Sequence, residues 1–332
     1  MGFLSVTKNV LHHARLAYLF STIEDKKLVK IIKTLLAARY MESKVAALYG
    51  QRKIRKWGLG GLGQEAGPSV ICSLLETKDW LIPPYRGLAH VIGKGLPLKI
   101  IAAEILGKKC GPVFGRGNPG NFTMPELGIF PNSDILGNNF STAVGMGLSS
   151  RYKEEQRIIS VFFGDGTATR SVLYGALNLS ALWRLPIFWV CENNKYSVST
   201  PVSGMTVTSF HEKARAFGVC SEKVDGNDIG EIVPCAERLM DYVRNEQKPA
   251  FLELDTYRIA PHDFIVLNDF SYQDKGERDR WAARDPLDIL SGHIRRLRLV
   301  PDIDIRNLSL KIAKEVDEAF TWAAEQEDFD TM

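Results

Sequence analysis

The chain has 332 residues, 45% hydrophobic and 24% charged, the composition of a soluble globular protein long enough for one large α/β domain or two modest ones. Its 42 basic and 39 acidic side chains leave a net charge of +3, spread too evenly to indicate a nucleic-acid groove. No apolar run reaches the length of a membrane span, and Cys72, Cys110, Cys191, Cys220 and Cys235 form no CxxC pair, which argues against a zinc site or a disulfide framework.

The first acidic residue is Glu24, and residues 1–27 read as an N-terminal arm. Scattered cysteines fit a reducing compartment, so the expected location is cytoplasmic, or the mitochondrial matrix in a eukaryote. From Leu28 to Leu48, apolar residues recur at helical spacing (Leu28, Ile31, Ile32, Leu35, Leu36, Met41, Val45), predicting an amphipathic helix. The glycine-rich stretch 57–67 contains GxGxxG at Gly58, Gly60 and Gly63. A basic helical stretch precedes it rather than a strand, so it is not a dinucleotide fingerprint.

Residues 68–75 read as a helix, 80–90 as a strand running into a loop, 110–124 as a glycine-rich loop and 142–150 as a helix rich in small residues. A β-rich run at 157–163, a helix at 171–183 and a strand at 185–191 then make a β-loop-α-β unit, the building block of a parallel sheet. A further strand is expected at 249–259 and a helix at 308–326. The fold class is α/β, a doubly wound, mostly parallel sheet flanked by helices, with the domain over 28–290 and a helical extension over 291–332.

Chemistry concentrates in two loops. The run Val161-Phe162-Phe163 ends in Gly164-Asp165-Gly166, and Asn194 of an Asn-Asn pair stands 29 residues after Asp165. In an open parallel sheet both loops fall at carboxyl ends of strands, where such folds bind ligands. A carboxylate, an amide oxygen and a nearby backbone carbonyl are hard donors suited to Mg²⁺, which shares its shell with phosphates. The flanking glycines leave open backbone for a diphosphate, and the N-terminus of the 171–183 helix favours its charge.

This pair of loops resembles the thiamin-diphosphate motif. The wider pattern is similar to the α subunit of the E1 component of 2-oxo acid dehydrogenases, of pyruvate, branched-chain or acetoin type. Blocks over residues 28–325 carry the likeness in order: GQEA (63–66), PPYRG (83–87), GRG (115–117), FFGDG (162–166), ALNLSALWRLP (176–186), ENNKYSVSTP (192–201), KVDGND (223–228), ELDTYRI (253–259) and DPLDIL (285–290). SVSTPV and VDGND lean slightly toward the branched-chain group.

The resemblance implies thiamin diphosphate and Mg²⁺ as cofactors. Asp165, Asn194 and the Tyr196 carbonyl would hold the metal. Tyr85 and Arg86 would lie at the cofactor with Arg86 on the diphosphate, Leu136 against the aminopyrimidine through its backbone, and Gly166 and Thr167 along the diphosphate loop. His262 would reach the active-site funnel as a catalytic residue. The carboxylate that activates the aminopyrimidine is expected from a β-type subunit in an α₂β₂ heterotetramer. The substrate would be a 2-oxo acid and the acceptor the lipoyl domain of an acyltransferase.

The sequence departs from the family at its imidazoles. Leu59 stands where a His precedes GQEA, Leu88 where one follows YR (His90 lies two residues on), and Thr123 where one follows the GRG loop; Thr169, Gly175 and the apolar 263–270 stretch also differ. Those changes predict an altered substrate end. They keep open a carboligase, transketolase-like or carrier-loading reaction, as well as a non-catalytic cofactor-binding subunit.

Overall fold

Along each central strand, successive side chains enter two different cores, as the period of two in an extended chain dictates. The computed structural model describes residues 24–54, 60–117, 120–263, 270–297 and 304–329. Residues 1–23 of the expected arm and Leu59 lie outside the described residues. Five strands, β1 (Trp80–Ile82), β2 (Ile159–Gly164), β3 (Ile187–Asn193), β6 (Cys220–Asp225) and β7 (Ala250–Asp255), form one sheet in the order β1-β2-β3-β7-β6. Every pairing in it is parallel. A small antiparallel pair, β4 (Tyr196–Ser197) with β5 (Thr200–Pro201), projects beyond β3.

From β2 and β3, Ile159, Val161, Phe163, Ile187, Trp189 and Cys191 enter one core, beneath Asn138–Tyr152, Ser171–Leu182 and Phe210–Ala216. Phe162, Phe188 and Val190 enter the other, with the helices Asp25–Gly50, Ala66–Leu74, Leu98–Ile105, Ile229–Glu246 and Ile305–Ala324. Both faces are covered, which is why the central strands read as nearly unbroken apolar runs. Each fully buried aliphatic or aromatic side chain contributes about 1.5–3 kcal/mol.

The connections locate the ligand crevice. The β2–β3 crossover passes over one face through Ser171–Leu182, and the β6–β7 crossover passes over the other through Ile229–Glu246. Right-handed crossovers on opposite faces run in opposite directions along the sheet. In such sheets ligands bind outside the carboxyl ends of the strands.

Several elements differ from the sequence reading. The expected 80–90 strand is three residues long, because Pro83 and Pro84 cannot continue a ladder, and Leu88–Lys94 is helical. The 249–259 strand leaves the sheet at Asp255. Beyond it, Thr256 N–H bonds the Asn193 carbonyl at 3.1 Å and Ile259 N–H bonds the Leu62 carbonyl at 3.0 Å, tying the segment to two site loops. Asp165 opens a one-turn helix, Asp165–Ala168, rather than a plain loop.

Candidate active site

Asp165 ends β2 and Asn194 follows β3, its hydrogen-bonded neighbour, so the sheet itself brings the two loops side by side. They open on one continuous cavity. Tyr85, Leu136, Thr167 and Asn194 border both of its lobes. Arg86, Gln64 and Glu192 line the inner lobe, and Asp165, Gly166, Tyr196, Arg258 and His262 the outer. All nine residues expected at the cofactor therefore surround one space.

The metal-ligand expectation can be tested on the polar atoms. Asp165 is 2% exposed; its Oδ1 accepts the Gly166 N–H at 2.6 Å, while Oδ2 has no partner. Asn194 is 6% exposed; its Nδ2 donates to Gln64 Oε1 at 3.0 Å, while Oδ1 has no partner. Buried oxygens without donors are costly, and two of them facing one cavity call for a missing positive partner. Burial raises the Asp165 carboxyl to about 6, against the opposing Gly166 N–H, the Arg258 and Lys195 charges and the nearby Lys195 backbone N–H.

Tyr196 stands opposite Pro201 in the β4–β5 ladder, next to the pair in which Val202 N–H bonds the Lys195 carbonyl at 2.9 Å, so Tyr196 is in a non-hydrogen-bonded pair and its carbonyl points away from β5. One carboxylate oxygen, one amide oxygen and one carbonyl are hard donors that fit Mg²⁺ completed by phosphate oxygens. Among the described residues, no group of three His, Cys, Asp or Glu side chains could hold a metal, and the donor set here is of a different kind.

Gly166 is glycine for a steric reason. A Cβ there would come 2.6 Å from Ser197 Cβ, so the loop after β3 could not close over the loop after β2. Gly164 differs, since a Cβ would meet no protein atom nearer than 4.0 Å; its openness belongs to the cavity. The loop bearing Tyr196 is held in unusual backbone, with Lys195 at φ 77° and Val198 at φ 56°. A β-branched residue in the left-handed region is strained. The Val198 carbonyl is held by Arg258 Nη2 at 3.3 Å.

Two arginines meet at one imidazole. Arg86 Nη2 lies 3.1 Å and Arg258 Nη1 3.0 Å from His262 Nδ1. Guanidinium groups only donate, so Nδ1 is the acceptor and the ring proton sits on Nε2. Burial and the two positive charges push His262 down to about 3, leaving it neutral at physiological pH. The ring can donate through Nε2–H but cannot take a proton at Nδ1 while both arginines hold it.

Arg86 also donates to the Gly60 carbonyl at 2.7 Å and to the His262 carbonyl at 2.7 Å. Its fork, expected on a diphosphate, is largely engaged within the protein. Burial lowers it to about 10, so it keeps its charge at neutral pH. Arg258, 1% exposed, is a second cavity cation that the sequence reading quoted in a block without giving it a role.

The loop carrying Gln64 is pinned from below: Glu42 accepts the Gly61 N–H at 3.0 Å and Glu65 the Gly63 N–H at 2.8 Å. Neither Leu88 nor Thr123 is among the described residues lining the cavity. Leu88 is 1% exposed in the apolar core. His90 lies beneath the floor, edge-on to Phe162 at 4.5 Å, with Nε2 3.3 Å from Glu192 Oε2.

Comparison with known proteins agrees with this architecture. A family model described as "Dehydrogenase E1 component" matches residues 33–331. The pyruvate dehydrogenase E1 component subunit alpha of Rickettsia felis is 30% identical over 293 residues, covering 88% of this chain and 89% of the relative. The corresponding subunit of Porphyra purpurea is 28% identical over 307 residues, with 90% and 88% covered. A chloroplastic alpha-3 subunit of Oryza sativa is 27% identical over 337 residues, with 96% and 78% covered.

Proposed function

The chain belongs to the dehydrogenase E1 component family, and from that premise we propose that its cavity holds thiamin diphosphate through Mg²⁺ and serves the decarboxylation of a 2-oxo acid. It is an E1 α-type subunit of a thiamin-diphosphate-dependent 2-oxo acid dehydrogenase, an oxidoreductase that works with a β subunit. The observation that carries the cofactor reading is the pair of unpartnered buried oxygens, Asp165 Oδ2 and Asn194 Oδ1, at adjacent strand ends. When bound, thiamin diphosphate supplies the electron sink for loss of CO₂.

The chain's own residues have separate tasks. Asp165, Asn194 and the Tyr196 carbonyl hold the cation, and Gly166 and Thr167 border the diphosphate. Arg86 and Arg258 add positive charge behind it. Tyr85 and Leu136 form the wall toward the ring end. His262, neutral and with its proton on Nε2, donates a hydrogen bond to negative charge developing on the substrate and does not act as a titrating base. Assembly as α₂β₂ and transfer of the acyl group to a lipoyl domain complete the reading. Relatives named for pyruvate dehydrogenase make pyruvate the first acid to try.

The test is CO₂ release from pyruvate and branched-chain 2-oxo acids by the complex with its β-type partner, thiamin diphosphate and Mg²⁺, with and without a lipoyl domain. Release coupled to acyl-lipoyl formation is expected for one acid class. Release without acylation would remove the lipoyl acceptor, and none from any acid would remove the decarboxylase.

A further inference from the structure

An amide ligand to a cation must present its oxygen, and nothing in the shape of an asparagine side chain decides which end points inward. At Asn194 that choice is made by a buried polar relay drawn from three distant parts of the sequence. Glu192, as a carboxylate, only accepts, so the group facing its Oε1 must be the Nε2 of Gln64, at 3.2 Å. Gln64 is then left with Oε1 toward Asn194, where it accepts from Nδ2 at 3.0 Å. Asn194 is left with Oδ1 toward the cavity, without a protein donor. The second oxygen of Glu192 lies 3.3 Å from His90 Nε2.

All four side chains are buried: Gln64 at 4% exposure, Glu192 at 2%, Asn194 at 6% and His90 at 1%. Solvent reaches these links only from the cavity side, so reversing one amide is expected to reverse the next. We propose that Gln64, oriented by Glu192, is a positioning residue that locks the Asn194 amide with its oxygen toward the cation. The inference rests on the Mg²⁺ reading of the site. Outer partners of this kind typically set metal affinity by 10–100-fold.

The experiment is calorimetric titration of Mg²⁺ into the chelator-stripped complex with its β-type partner, saturated with thiamin diphosphate. Gln64→Met, which keeps the volume and removes the amide, is expected to weaken Mg²⁺ by roughly 10–100-fold. In an Asn194→Asp background the same change should cost less than about threefold, because a carboxylate has oxygen at both ends and needs no orienting. A merely structural Gln64 would show equal losses in both backgrounds, and that result overturns the proposal, as does wild-type affinity for Gln64→Met alone. If Gln64→Met does not assemble, Glu192→Met cuts the relay one link further out, and the same comparison of backgrounds decides. Asp165→Ala is the separate arm. Should Asp165→Ala bind Mg²⁺ as tightly as wild type, the cation reading itself falls; if only the Gln64 comparison fails, the relay alone is withdrawn.

Discussion

His262 shows how far a motif position can mislead about a residue's chemistry. An imidazole near an active site invites the role of a base that titrates close to neutrality. Here two guanidinium groups hold Nδ1, and burial with their charge lowers the ring to about 3. Because the folded value lies below the ordinary value of 6.5, the unfolded chain binds the extra proton first. Stability is then fully present above about 6.5 and is lost as pH falls toward about 3. In nitrogen-15 NMR of the labelled chain, the His262 ring is expected to stay an Nε2–H tautomer from pH 8 to pH 5. An inflection near pH 6.5 would show that the two arginines do not hold the ring. The same contacts make Arg86 and Arg258 a shared unit with His262, so substitutions among the three are expected to be non-additive.

At the scale of elements, the C-terminal helix Ile305–Ala324 tests whether the extension is an appendage. Its Ile312, Val316, Ala319, Phe320 and Ala323 lie in the same apolar cluster as Leu28, Ile32 and Ile101. Phe320, at 4% exposure, should cost about 3–5 kcal/mol when replaced by alanine. That loss is read as a lower midpoint in urea unfolding with an unchanged slope. A change below about 1 kcal/mol would mean the helix does not share the core, since such losses belong to surface positions. The first long helix, the β2–β3 unit, its crossover helix and the last helix were legible because their apolar periods are strong and uninterrupted. Edge strand β6 was not. Its Glu222 and Lys223 interrupt the apolar run, as suits a strand at the border of a sheet. That Asp165 and Asn194 would meet at one cavity was readable from their spacing and from the strand before each. Gln64, Glu192 and Arg258 were within quoted blocks, yet their roles depend on contacts between segments 128 residues apart, and no local pattern records such a contact.

For the whole molecule, the cavity is built from one side. Its inner wall is the sheet end, with Phe162, Phe163 and Phe140, and its floor holds the two arginines. At its rim Ile135 is 73% exposed and Val198 41% exposed, apolar side chains facing outward beside a polar site. Isolated exposed apolar residues are ordinary, and at the mouth of this site they are where the β subunit is expected to pack. Lys195 and Arg258 act on the Asp165 carboxylate and Arg86 lines the inner lobe, so a diphosphate and its cation meet favourable charge on this side. Of the other carboxylates lining the cavity, Glu192 is buried and accepts from Gln64, while Asp134 stands exposed at the outer lobe, so a buried acid beside the ring is left to the β subunit. The isolated chain, given thiamin diphosphate, Mg²⁺ and a 2-oxo acid, is therefore expected to release CO₂ at least 100-fold more slowly than the complex, since losing one catalytic proton-transfer group typically costs about 10²–10⁴-fold. Steady-state CO₂ release across a titration of the β-type partner measures this directly. A rate that saturates at a one-to-one ratio supports a site completed across the subunits, and a full rate from the chain alone would mean that it already carries every group the reaction needs.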